Sequence, residues 1–354
     1  MTSKIVVNNI EADAGISSVT FTSDIELGTK NLKGHNLEST GIVTAVSFTG
    51  SGANLTNLPA ANITGTLPAI DGSNLTGVGA SFGNSSVNTS GIITATAFVP
   101  TTGQLTNRNI IINGAMNLAQ RGTSSATSDY ATVDRFGWDA FAMGAAATQS
   151  QSDVASGTTP YSLGFRKAFR LTIGNNGSPA VSTRVGFFHK IEAQDIANSG
   201  WNYTSSSSYI TFSYWVKSSV AQNFYNTFKN DDGSSQRYVT ETGSLTADTW
   251  TKITKTIPGN SNLTFNNDNG EGLEITWELF RGTDQTGTRP LNAWAASDNN
   301  TRTPDQTSTW YSTNGATFEI TGVQLEVGPV ETPFEHRSFS DELARCMRYY
   351  QAST

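Results

Sequence analysis

All seven tryptophans and all ten tyrosines of this 354-residue chain lie after Asn109. Residues 1–108 hold no large aromatic beyond Phe21, Phe48, Phe82 and Phe98. A monomeric core forms by removing large apolar side chains from water, at about 25 cal/mol per Å² of apolar surface, and small units bury the smallest share of theirs. A segment this poor in large side chains has no core of its own. It must stay extended or associate with copies of itself.

Internal repetition favours association. Gly41–Phe48 recurs almost unchanged as Gly91–Phe98, with a shorter echo at Gly15–Phe21. Each copy opens with Gly, is rich in β-branched residues and ends in Phe, so each reads as a short strand after a turn. Between the two full copies, Leu55, Ile63, Leu67, Ile70, Leu75 and Val78 recur among Asn, Thr and Gly. That spacing suits a thin fibre in which three chains each place one small apolar residue on a shared axis; a flexible linker is the alternative. The Asn-x-Thr triplets at Asn54, Asn62 and Asn74 read as turn formers. The expected fold is all-β: a thin repetitive trimeric β-stalk over residues 41–108, preceded by a separate segment 1–40, and a head over 109–354.

The head reads as strand after strand. Ser208–Lys217 alternates cleanly, with Ile210, Phe212, Tyr214 and Val216 on one face and Thr211, Ser213, Trp215 and Lys217 on the other. Leu273–Phe280 repeats the pattern, with Glu274, Thr276 and Glu278 outward. Lys167–Ile173, Arg184–Ile191, Thr249–Ile257 and Thr317–Val327 are further strands, and a phase slip at Thr321-Gly322 predicts a β-bulge. Asn109–Gly114 reads as a short apolar strand closed by a turn, and residues 115–160 as irregular. These lengths, joined by loops rich in Asn, Asp and Gly, predict an antiparallel β-sandwich of jelly-roll type. One C-terminal helix is expected after a cap at Ser338, with Leu343, Cys346, Met347 and Tyr350 on one apolar stripe that packs on the sandwich or at a subunit contact.

Composition excludes several functions. The net charge is -7 and there is no basic run, which argues against nucleic acid and membrane surfaces. No apolar stretch approaches the ~20 residues that span a bilayer. Met1–Ile10 carries one Lys and no apolar run of the kind an export signal needs, so synthesis in a cytoplasm and release by another route is expected. The single cysteine, Cys346, forms no intramolecular disulfide and reads as a core residue. His35, His189 and His336 have no partners at metal-ligand spacing, and no cofactor is implied. The chain is therefore read as non-enzymatic. The competing idea, a glycan depolymerase, needs two carboxylates roughly 5–10 Å apart. Glu274 and Glu278 on one strand face would be ~13 Å apart and read as a solvated row.

Several segments resemble a known family. Asn54–Gly77 resembles repeat regions in tail-fibre proteins of marine bacteriophages, particularly those of cyanobacteria. Asn109–Met116, Ala119–Gly122 and Val133–Phe136 look like the opening of a head module in such fibres. Gly322–Gly328, Thr332–Arg337 and Cys346–Tyr350 match its close, with Met347 where members usually carry Gln. Ile210–Lys217 and Trp250–Ile257 also resemble a jelly-roll carbohydrate-binding module. The resemblance implies a homotrimeric virion fibre, most naturally a tail fibre. It would be assembled in the host cytoplasm, joined to other virion proteins through residues 1–40, and attached to a host surface polysaccharide; a purely structural head, neck or baseplate fibre is the alternative. Sugars are bound by aromatic faces and planar polar groups. The candidate aromatics are those not assigned inward: Trp201, Tyr203, Trp215, Trp294, Trp310 and Tyr311. Asp231, Asp232 and Asp268 have the oxygen chemistry for Ca²⁺ but no diagnostic spacing.

Overall fold

A computed structural model describes residues 106–352, together with Thr40, Ile42 and Thr44. Those three apart, the expected anchoring segment and stalk repeats lie outside the described residues. The head runs β1 (Ser124–Ser125), β2 (Phe136–Phe141), β3 (Ala147–Asp153), α1 (Thr159–Ser162), β4 (Lys167–Ile173), β5 (Arg184–Glu192), α2 (Ala193–Ala197), β6 (Tyr209–Ser218), β7 (Asn223–Asn230), β8 (Gln236–Ser244), β9 (Thr251–Pro258), β10 (Glu271–Arg281), β11 (Trp294–Ala296), α3 (Thr309–Ser312), β12 (Thr317–Val327) and α4 (Phe339–Met347). The strands form two antiparallel sheets, ordered β1-β3-β4-β12-β6-β9 and β11-β8-β7-β10-β5-β2. From β4 onward the chain passes repeatedly from one sheet to the other, so strands distant in sequence become neighbours.

Alternation places the core. Ile210, Phe212, Tyr214 and Val216 of β6 are buried against Leu273, Ile275, Trp277 and Leu279 of β10, across the gap between the sheets. The aromatics interlock there: ring centroids lie 5.0 Å apart for Phe212–Phe228, 5.7 Å for Phe212–Trp277 and 4.4 Å for Phe169–Phe187. Such pairs add about 0.5–1.5 kcal/mol beyond the area they bury. His189 sits in this core beside Phe136. Burial first and the Arg135 charge second hold its pKa well below the usual histidine value, so the imidazole is neutral.

The expected bulge is present. The β12–β6 register slips between Thr321 and Gln324, and Gly322 has φ +61°. A Cβ on Gly322 would stand 2.7 Å from the Phe165 ring, so glycine is required both for the backbone and for that ring.

Three expectations are corrected. Asn109–Gly114 is not a strand. The Asn109 side chain takes the ladder's place: its Nδ2 donates to the Val323 carbonyl at 3.0 Å, and its Oδ1 accepts from the Leu325 N–H at 3.0 Å. The chain then turns through Asn113 and Met116, both at positive φ. Residues 115–160 are not irregular throughout, since β2 and β3 form there; β3 is polar and owes its place to pairing with β4. Among the described residues, three single-turn helices accompany the expected C-terminal one.

The Ser338 hydroxyl caps α4 by accepting from the Asp341 N–H. Its Cys346 is buried, and burial pushes the thiol pKa up to about 12. The helix lies on its own head: Arg121 stacks 3.6 Å over Tyr350, Arg135 stacks 3.4 Å over Tyr349, and Arg348 makes a two-pronged contact with Glu192, both arms at 2.8 Å. Met347, expected on the buried stripe, is exposed.

Candidate functional site

The outward residues of β6 and β9 form one wall of a cleft on the first sheet. Trp215 and Lys252 are cross-strand neighbours, and so are Ser213 and Thr254. The opposite wall is the strap of residues 329–336 that follows β12. It is tied down by Glu331, which binds both Lys252 and Thr254, and by the Thr256 hydroxyl donating to the Pro329 carbonyl at 3.1 Å. The bulge at Gly322 lets Phe165 lie on the sheet. Phe334 meets Phe165 edge-on at 4.9 Å, His336 lies 5.2 Å from Phe165, and the His336 Nε2 contacts the Leu163 carbonyl at 2.9 Å. The space enclosed is about 470 Å³, within the range of small-ligand sites. It is walled chiefly by carbon, with polar groups at its margin.

Beside the cleft the same face is ionic. Glu319 is buried between Arg170 at 3.1 Å and Lys217 at 2.9 Å, and Lys217 also lies 5.2 Å above the Trp250 ring. Lys252 lies 6.0 Å from the Trp215 centroid. These pairs fix the long side chains around the indoles and leave Trp215 half-buried, lining the cleft.

Of the six aromatics expected at a binding surface, Trp215 alone lines this cleft. Trp201, Trp310 and Tyr311 are buried in the core, where a ring has no face to offer a sugar. Trp310 donates its Nε1–H to the Thr317 carbonyl at 3.0 Å and Tyr311 stacks on Phe280 at 5.0 Å, so the polar stretch before them is anchored by its aromatics. Trp201 packs on Phe265. Tyr203 is half-buried, edge-on to Phe265 at 5.0 Å. Trp294 is half-buried against Tyr238 and donates to the Pro258 carbonyl at 2.7 Å. Sequence reasoning missed Phe334, His336 and Glu331. The prolines at 329 and 333, which keep the strap extended, were the signal available.

The second sheet has a cleft of equal volume, about 470 Å³, on its outer face, lined by Asp139, Arg184, Phe188, Lys190, Glu274 and Arg302 among others. Its charges are largely paired: Arg184 with Asp139 at 2.8 Å, and Lys190 with Glu271 at 2.7 Å and Glu274 at 3.8 Å. The expected solvated row is not present. Glu278 is buried in an ion pair with Arg281 at 2.5 Å, whereas Glu274 joins Glu271 and Asp231 with oxygens mutually within 4.8 Å. Burial chiefly pushes Glu271 up to about 7, helped by Asp231 and Glu274 and opposed by Lys190. Lys190 and Lys229 already neutralise much of this carboxylate group. The three aspartates with the oxygen chemistry for Ca²⁺ have separate partners: Asp231 pairs with Lys229, Asp232 accepts from Asn266, and Asp268 accepts from the Gly270 N–H.

No family model matches the chain, and no curated protein matches it. Among solved structures it is similar to the enzymatically active domain of bacteriophage CBA120 tailspike protein 4, at 11% identity and TM-score 0.34, covering 62% of this chain and 21% of that one. It is similar to a structure described as "CBM4 structure and function", at 13% identity and TM-score 0.29, covering 61% and 98%. It is also similar to the N-terminal cellulose-binding domain of Cellulomonas fimi β-1,4-glucanase C, at 11% identity and TM-score 0.30, covering 60% and 98%. The chain thus spans about a fifth of the tailspike's length, and likenesses at these scores carry no argument about function.

Proposed function

We propose that this chain is a bacteriophage virion fibre subunit whose head binds a host surface glycan in the Trp215 cleft. The observation that carries the glycan reading is that the half-buried Trp215 indole lines a 470 Å³ space together with Phe334, His336 and the Lys252–Glu331 pair. An aromatic face takes the C–H surface of a pyranose, and fixed charged and hydroxyl groups beside it read the sugar's hydroxyls. The fibre reading is supported by the sequence. The region before residue 109 lacks Trp and Tyr and repeats one apolar residue per turn, which favours a homotrimer, with residues 1–40 joining other virion proteins. Millimolar single-site affinity is then sufficient, because three linked heads raise the effective concentration.

A glycan array probed with the full-length chain, followed by titration calorimetry on the best oligosaccharide, tests the reading. Saturable binding weakened about tenfold by Trp215→Ala, and weakened less by Phe334→Ala, is expected. Binding untouched by both variants rules out the cleft as the site, and no binding at all leaves a structural fibre. Release of reducing ends from a host polysaccharide would move attention to Glu271, whose raised pKa suits a proton donor.

A further inference from the structure

The described chain begins at the same end of the sandwich where it finishes. Arg345 of α4 donates to the Asn107 side chain at 3.0 Å, Glu342 accepts from the Asn113 N–H at 2.5 Å, and Arg337 reaches the Ile111 carbonyl at 3.1 Å. Arg108 donates to the Pro333 carbonyl at 2.8 Å and the Asn109 N–H donates to Glu335 at 2.9 Å. The C-terminal helix is therefore fastened to the first residues of the head, directly after the repetitive segment.

That helix leaves apolar surface uncovered. Phe339 is 63% exposed and Met347 is 38% exposed, with the half-buried Leu343 between them. The three follow at four-residue spacing and so run along one side of the helix. Other exposed apolar residues of the head, such as Val181 and Val330, are not part of such a stripe, and scattered single residues of that kind are ordinary. A helix held at its ends by Ser338 and Arg348 but open along one apolar edge has the form of half an interface.

The chain itself supplies the partner. Three copies joined through residues 41–108 would bring their heads together where the head begins, and that is the end of the head that carries α4. We infer that the Phe339–Leu343–Met347 edge of α4 packs against the same helix in neighbouring copies. The inference rests on the homotrimer of the proposed function. It needs little area, since tethering supplies an effective concentration of order millimolar. It also explains why the helix is clasped so closely to residues 107–113: the helix acts as the collar at which the heads meet.

The test uses the full-length chain. Phe339→Cys and Met347→Cys are made separately and treated with a short bis-maleimide; the unmodified protein, whose Cys346 is 1% exposed, is the background. A third variant, Val181→Cys, is exposed but precedes β5. Glu192 at the far end of that strand receives Arg348, so Val181 lies roughly 30 Å from α4 by strand length. Sedimentation velocity of each protein gives the oligomeric state. A trimer in which the two helix variants yield covalent dimers and Val181→Cys does not supports the inference. A trimer in which neither helix variant is linked overturns it while leaving the fibre reading intact. A monomer overturns the homotrimer reading and this inference with it.

Discussion

The outer faces of the two sheets carry clefts of the same volume built from opposite materials. On the first sheet, Trp215, Phe165, Phe334 and His336 wall the space and the charges stand at its rim. On the second, Arg184, Asp139, Lys190 and Glu274 are themselves the walls, most of them already bonded to one another. Next to that second cleft, residues 282–306 lie over the sheet. Arg281 donates to the Gln285 side chain at 3.0 Å, Arg289 donates to the Arg237 carbonyl at 3.1 Å, and Gln306 donates its side-chain amide to the Glu278 carbonyl at 3.4 Å. The inward faces obey one rule, alternation around an aromatic core, so they do not distinguish the sheets. The outward chemistry does. A neutral sugar entering the aromatic cleft gains contact without breaking an ion pair; on the other face it would have to replace charge pairs at full desolvation cost.

The largest break in this comparison is expected from Glu278→Ala. It strands the Arg281 guanidinium, whose side chain is 3% exposed, with no carboxylate beside it. Removing one partner of a buried pair costs about 3–5 kcal/mol, which urea denaturation will read. Gly322→Val comes next. A side chain at φ +61° that also collides with Phe165 should cost about 2–4 kcal/mol and flatten the aromatic cleft, losing stability and glycan binding together. Trp215→Ala should separate the two properties. Sugar affinity falls about tenfold, some 1.4 kcal/mol, while the melting temperature hardly moves, because the ring is on the outer face. Glu271→Gln sharpens the other side. A carboxyl with its folded pKa raised to about 7 holds its proton more tightly folded than unfolded, so wild-type stability falls as pH rises from 4.5 to 7. The Gln variant should lose that decline, gaining about 1 kcal/mol at pH 8 after allowing for solvent screening. Melting curves at pH 5 and pH 8 compare them. Asp153→Asn, at the exposed Lys167 pair, should shift stability by less than about 0.5 kcal/mol. A larger shift would mean that surface charge matters more here than the buried pairs suggest.

The inside of the head was legible in the sequence and the outside was not. Lys167–Ile173 and Thr317–Val327 match β4 and β12 end for end, because alternation of large apolar residues is a local signal. The bulge at Gly322 was legible for the same reason: a slip of phase is visible in the pattern. β7 and β8 were missed because Asn, Thr and Gln occupy positions where the core accepts them, as where Asn226 receives the Tyr214 hydroxyl at 2.5 Å. The cleft was legible only at Trp215, which faces outward by alternation. Its far wall comes from a strap more than a hundred residues away, and no local pattern announces that Phe334 will meet Phe165. Trp310 and Tyr311 misled for a related reason. A polar stretch suggests solvent, yet here it is wound onto the sandwich by two buried rings.

The strap that walls the cleft also has a mechanical consequence. Pro333 and Glu335 hold Arg108 and Asn109, while Phe334 and His336, alternating with them, look into the cleft. Tension applied at residue 108 would therefore divide between β12, which Asn109 grips through Val323 and Leu325, and the strap, which holds Arg108 and Asn109 through Pro333 and Glu335. The share carried by the strap would pull on the wall of the cleft itself. Occupancy of the cleft and a pull on the preceding segment would then be coupled through the strap.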